Sequence, residues 1–152
     1  MYQKLTHVLA TIAGILRPIF LLVIRLYWGW QFFLTGKGKL LNLDRTSGFF
    51  ESLHIPAPKL NAIMAGTTEL VFGLLFLVGL GGRVVPLPLI GVMMVAYLTS
   101  EQPALHAFFS DPDKFLGADP FLFLFAAVII FIFGPGKLSL DALLGKQAPT
   151  DK

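Results

Sequence analysis

At 152 residues, 55% hydrophobic and 14% charged, the chain is too apolar for an ordinary soluble domain and fits one compact membrane domain. It has no cysteine, which excludes disulfides, thiol nucleophiles and Cys-held metal clusters. The net charge of +3 is spread without a basic stripe, so the expected partner is the lipid bilayer and not nucleic acid.

Leu5, Val8, Leu9, Ile12, Ile15 and Leu16 recur at helical spacing over only about three turns, too short to span a bilayer. This reads as an amphipathic helix lying at the interface over residues 1–17. A signal peptide fits less well, because the run stops at Arg17-Pro18 without a clear cleavage site. A first apolar segment runs from Pro18 to Leu41, and a second from Leu60 to Leu80 ends at Gly81-Gly82-Arg83. Between them, Phe49, Phe50, Leu53 and Ile55 precede Pro56 and Pro58, as in a helix docked on the membrane surface and followed by a rigid turn. A third segment, Val84 to Leu98, carries Pro86 and Pro88 near its start. The polar stretch Thr99–Asp119 has Phe108, Phe109 and Phe115 as interfacial anchors. A fourth segment, Pro120 to Phe133, stops at Gly134-Pro135-Gly136.

The expected fold class is therefore all-α: an integral-membrane four-helix bundle over 18–141, preceded by the interfacial helix and followed by a polar tail over 142–152. Four spans put both termini on one side. Lys4, Arg17, Arg83, Lys137, Lys146 and Lys152 fall there, against Asp141 and Asp151, and Lys37, Lys39, Arg45, Lys59 and Lys114 fall opposite. Six basic residues against five favour cytoplasmic termini.

Two charges sit inside apolar runs, Arg25 and Glu69. A lone charge at mid-membrane costs a few kcal/mol on insertion scales, so such residues pair or work. At about 100° per residue, Gly29 and Gly36 share a face with Arg25, and Gly66 and Gly73 share one with Glu69. Small residues let membrane helices approach closely, so the two glycine-lined faces look made for each other or for a shared partner. Measured from the segment ends, the charges differ in depth by about 7 Å, within reach of an arginine side chain. The expectation is an Arg25–Glu69 contact, either a packing brace or a polar site binding a small or quinone-like headgroup. Lys39, at the end of the first segment, reads as a snorkelling lysine or as a second cation at the mouth of that site. Thr67 and Thr68 read as back-bonded to their own helix, and Tyr97 as a belt residue.

No histidine lies inside an apolar run: His7, His54 and His106 are interfacial or in loops, so haem ligation is not expected, and no metal site is read. His106 with Glu101 reads as a solvated loop pair. Serine-hydrolase, zinc-protease, P-loop and Rossmann patterns are absent, so no catalytic residue is assigned.

These residues also carry a resemblance. Arg25-Leu26-x-x-Gly29-x-x-Phe32-x-x-x-Gly36-x-x-Lys39-Leu40 resembles the first helix of the DoxX family, and Leu53-His54-Ile55-Pro56 the segment before its second. Glu69-Leu70-x-x-Gly73-Leu74-x-x-Leu77-x-Gly79-x-x-x-Arg83 is similar to that second helix, and Gly134-Pro135-Gly136-Lys137-Leu138-Ser139-Leu140-Asp141 to the family's C-terminal signature. Where the family often has a glutamate entering the fourth helix, this chain has Asp119-Pro120. The resemblance implies a four-helix protein of the bacterial inner membrane, from a family named for a subunit linked to quinol oxidation and thiosulfate:quinone oxidoreduction. It implies a quinone as cofactor and a redox-complex subunit as partner, with this chain not an enzyme on its own. Three functions stay open: an accessory redox subunit binding a quinone or small sulfur compound near Arg25 and Glu69, a small transporter or lipid-binding protein using the same pair, and a structural anchor without ligand. A homo-oligomer is compatible with each.

Overall fold

The computed structural model describes residues 2–145. The helices α1 (Tyr2–Leu41), α2 (Leu43–Ser52), α3 (Pro58–Val78), α4 (Pro86–Thr99), α5 (Gln102–His106), α6 (Pro112–Leu116), α7 (Pro120–Phe133) and α8 (Leu140–Leu143) follow in chain order, with no strand among the described residues. From residue 146 onward the expected polar tail, with Lys146, Asp151 and Lys152, lies outside the described residues.

α1 and α3 are long and apolar enough to cross a membrane, whereas α4 and α7 are apolar but have 14 residues each, about 21 Å of helix. The separate N-terminal helix expected before Pro18 is not separate, because α1 runs unbroken through Pro18. The proline removes one bond to the Gly14 carbonyl. The residues around it pair their own backbone, which an apolar setting makes nearly obligatory and which lets such helices tolerate proline.

α2 packs against α3. The turn between them holds two non-glycine residues in the left-handed region, His54 (φ 58°) and Ala57 (φ 46°), at a cost of about 1–2 kcal/mol each. Pro58 then starts α3 with its φ preset. At the other end α3 closes on left-handed Gly79, and Gly81 and Gly82, also at positive φ, reverse the chain into α4.

The core lies among α1, α3, α4 and α7, around Leu21, Phe32, Phe76, Leu89, Ala127 and Ile130. α1 packs chiefly on α3, and α4 on α7. The α1–α3 contact is made close by glycine on both helices. A Cβ on Gly36 would lie 2.7 Å from the Gly66 carbonyl oxygen, one on Gly29 2.7 Å from Leu77 Cα, and one on Gly73 2.8 Å from the Phe33 nitrogen. The helices are antiparallel, and this register decides which residues share a level: Gly36 with Gly66 and Leu70, Phe32 with Gly73, Gly29 with Leu77.

Thr99–Asp119 is not a plain linker: it folds into α5 and α6. Tyr97 is correspondingly buried, at 1% exposure, and is not a belt residue. Its ring stacks on Phe115 at 4.8 Å and its hydroxyl donates to the Phe115 carbonyl at 2.9 Å.

Candidate functional site

Arg25 and Glu69 are each 1% exposed, yet the structure gives them different partners. Glu69 sits beside Gly36 on α1, because a Cβ on Gly36 would come within 2.9 Å of the Glu69 carbonyl carbon. Arg25 lies eleven residues further along that helix, about 16 Å away, beyond the reach of a side chain. The expected Arg25–Glu69 contact is therefore replaced by two separate sites. Segment ends read from hydropathy do not fix the level of a side chain, whereas the glycine contacts do.

Arg25 is enclosed by the far end of the molecule. Its Nη1 donates to the Leu77 carbonyl at 3.4 Å and its Nη2 to the Leu138 carbonyl. Leu77 lies in the last turn of α3, where carbonyls lack helical partners and a cation is favoured. Gly79 makes room: a Cβ there would lie 2.8 Å from the guanidinium carbon and 2.7 Å from Ser139 Cβ. Asp141, at 4% exposure, completes the arrangement. The N–H of Gly81 donates to its Oδ1 at 3.1 Å, the N–H of Gly82 donates to Oδ2, and its own N–H donates to the Gly79 carbonyl. Ser139 caps α8 by accepting from the Ala142 N–H at 3.2 Å. Arg25, the glycine turn after α3 and the Ser139–Asp141 segment thus form one clamp.

Glu69 faces a cavity of about 680 Å³, within the ordinary range for small-molecule sites. Phe49 and Phe50 of α2, Leu53 and Ile55 of the following turn, Met64 and Thr68 of α3, Val92 and Val95 of α4 and Phe123 of α7 line it. Lys39, on the last turn of α1, donates from Nζ to Glu69 Oε2 at 2.6 Å, and its side chain is 29% exposed. The other oxygen, Oε1, is buried and has no hydrogen-bond partner. Glu101 and Asp119 also line the cavity, which makes three carboxylates against one ammonium. Lys39 is therefore the direct partner of Glu69 and not a distant second cation. Arg25 lines no part of this cavity. His7, His54 and His106 are exposed, and no group of residues able to hold a metal ion occurs among the described residues. Glu101 was read as a loop partner of His106, Asp119 as the acid entering the fourth helix and Asp141 only as part of the C-terminal signature; sequence reasoning placed none of them at these sites. The only available signal was the two antiparallel glycine pairs, which place Glu69 opposite the end of the first segment, near Lys39.

The DoxX family model matches residues 20–102, more than half of the chain. This chain belongs to the DoxX family. Among relatives of this DoxX protein, the uncharacterized membrane protein Rv3486 of Mycobacterium tuberculosis is 33% identical over 86% of this chain and 85% of its own length. Inner membrane protein YphA of Escherichia coli is 28% identical over 84% of this chain and 92% of its own length. No solved structure shows a significant match. With its two long apolar helices, the chain is a membrane protein of the DoxX family.

Proposed function

We propose that this DoxX protein is a multi-pass inner-membrane protein that binds a small lipid-soluble molecule in the cavity, with Glu69 and Lys39 as its polar end. The observation that carries the reading is Glu69 Oε1, an acceptor buried in the cavity wall without a donor. A buried carboxylate oxygen left unpaired costs more than a neutral group does, so the site is complete only with a donor from the ligand. Lys39 has three N–H donors, of which Glu69 takes one, so the same headgroup can accept a bond from it. A hydroxyl beside a carbonyl or second hydroxyl on an apolar body meets both needs, and a quinol is such a molecule. An inorganic sulfur oxyanion does not, because three carboxylates face the cavity. Met64 and Val95 line the cavity yet stay exposed on the outer faces of α3 and α4, which supports entry from the bilayer. As a quinone-linked subunit the chain would bind and orient the headgroup and take up a proton at Glu69, while a partner subunit carries the electrons.

Four crossings by α1, α3, α4 and α7 fit the contacts at one end. Arg17 donates to the Phe133 carbonyl at 3.3 Å, and Asp141 holds the turn after α3, so the N-terminal helix, that turn and the C-terminal segment lie together. The proposed side for that end is the cytoplasm, from the basic-residue balance.

The test is thermal stabilisation of the purified full chain in detergent by a short-chain ubiquinol, by its oxidised form and by thiosulfate. The quinol at a hundredfold excess over its Kd is expected to raise Tm by about 5 °C or more, and thiosulfate not at all. Glu69→Gln is expected to weaken quinol binding by about tenfold or more while the fold is kept. Unchanged binding by Glu69→Gln, or stabilisation by thiosulfate alone, would overturn the reading.

A further inference from the structure

α1 has 40 residues, about 60 Å of helix and twice the roughly 30 Å of a bilayer core. The level at which the other helices end is marked by Arg17, whose guanidinium bonds the Phe133 carbonyl at the end of α7 and lies 5.8 Å from the Phe133 ring. Tyr2–Leu16 project beyond that level by about 22 Å, and every one of those residues is exposed.

The projection is not evenly apolar. Leu5, Leu9, Ile12, Leu16 and Ile19 are spaced four, three, four and three apart, and the alternation continues without a break through three further apolar side chains to Trp30. All eight are between 47% and 57% exposed. That is a 3.5-residue repeat held for more than three heptads, the seam of a left-handed coiled coil. Val8 and Ile15 flank and widen it. The opposite face of Tyr2–Leu16 carries one formal charge, Lys4. A helix that lies on anionic lipid has a polar face rich in Lys and Arg, so this face is poorly matched to the membrane surface.

We propose that the seam is filled by copies of the same chain, in a parallel left-handed bundle of three or four α1 helices. Copies inserted in one membrane share their orientation, which makes the bundle parallel. In the heptad frame the stretch Leu9–Ile19 has leucine at a (Leu9, Leu16) and isoleucine at d (Ile12, Ile19), the pairing that favours more than two strands, whereas Val23 and Leu26, in the bundled part of α1, take a and d with the opposite preference. Eight half-exposed side chains present on the order of 700 Å² per chain, close to the roughly 800 Å² each partner contributes to a stable interface. The assembly leaves the cavity free, since Thr35 and Lys39 of α1 lie beyond the seam.

The chain has no cysteine, so single cysteines report cleanly. In native membranes under mild oxidation, Leu9→Cys and Leu16→Cys are expected to cross-link between chains, and Thr11→Cys, on the far side of the helix, at least tenfold less. Native mass spectrometry of the full chain in mild detergent is expected to give three or four copies. The double variant Leu9→Glu/Leu16→Glu is expected to give one copy that still melts cooperatively. Equal cross-linking at Leu9 and Thr11, or a single copy in the unmodified protein, overturns the seam, and two copies overturn the stoichiometry. Quenching of probes at both Leu9 and Leu16 by brominated lipid in a monomeric protein assigns the stripe to the bilayer surface instead and also overturns the proposal.

Discussion

Arg25 and Glu69 are equally buried, lie on adjacent helices and have opposite fates. The guanidinium is surrounded by groups the chain already supplies: carbonyls of Leu77 and Leu138, and the carboxylate of Asp141 nearby. Its Nε has no hydrogen-bond partner, but it is packed among Gly79 and Ser139 rather than set in the wall of the cavity. The carboxylate of Glu69, a residue of the cavity wall, has one oxygen held by Lys39 and the other buried without a hydrogen-bond partner. A buried charge held between backbone carbonyls acts as a brace, whereas a buried carboxylate with an unpaired oxygen in a cavity wall is the proposed site.

The strongest test of that contrast is Arg25→Met. It leaves carbonyls of Leu77 and Leu138 without a donor and removes the positive charge near Asp141, a change that costs about 3–5 kcal/mol when one partner of a buried charged group is removed. Folded yield and Tm in detergent should collapse, and a quinol should not rescue them. Retention of Tm within a few degrees would mean that Arg25 is not a brace. Next in size is Gly36→Ala, whose Cβ would meet backbone atoms of α3 and not a movable side chain. An overpacked contact of this kind costs about 1–3 kcal/mol, and here it would also push Glu69 away from Lys39. Tm and quinol affinity should therefore fall together, and a loss of Tm alone would separate packing from the site. The smallest stability effect is expected from the double variant Lys39→Met/Glu69→Gln, which removes both charges at once. Replacing a buried pair by uncharged groups of similar volume is often near neutral, so the double variant should keep its stability within about 1 kcal/mol of the unmodified protein. Lys39→Met alone, which strands the carboxylate, should lose more. Quinol binding should weaken by about tenfold or more in the double variant, as in Glu69→Gln alone.

Much of the framework was legible in the sequence because membrane helices declare themselves by apolar length and by glycine spacing. The first and second segments correspond to the α1 and α3 stretches, and the helix read around Phe49-Phe50 before Pro56 is α2, which packs on α3. What was not legible was level. A face repeats every few residues along a helix, so Gly29 and Gly36 say which way a helix points and not how far it slides. Arg25 also depends on Leu138, 113 residues away, a contact that no periodicity encodes. The fusion of the N-terminal run with the first segment was missed because Arg17-Pro18 is a strong local stop in isolation. In the folded chain, α1 continues through it and Arg17 is held against the end of α7.

The Arg25 clamp also sets a timetable for biosynthesis. The helix that carries the arginine is made well before one of the carbonyls that satisfies it, 113 residues further along the chain. At about 5–20 residues per second, 113 residues take roughly 6–23 s, during which the charge waits without the Leu138 carbonyl. A nascent chain that stops short of Leu138 and Asp141 keeps that incomplete charge for good. The clamp thereby distinguishes chains that have reached Leu138 and Asp141 from those that have not.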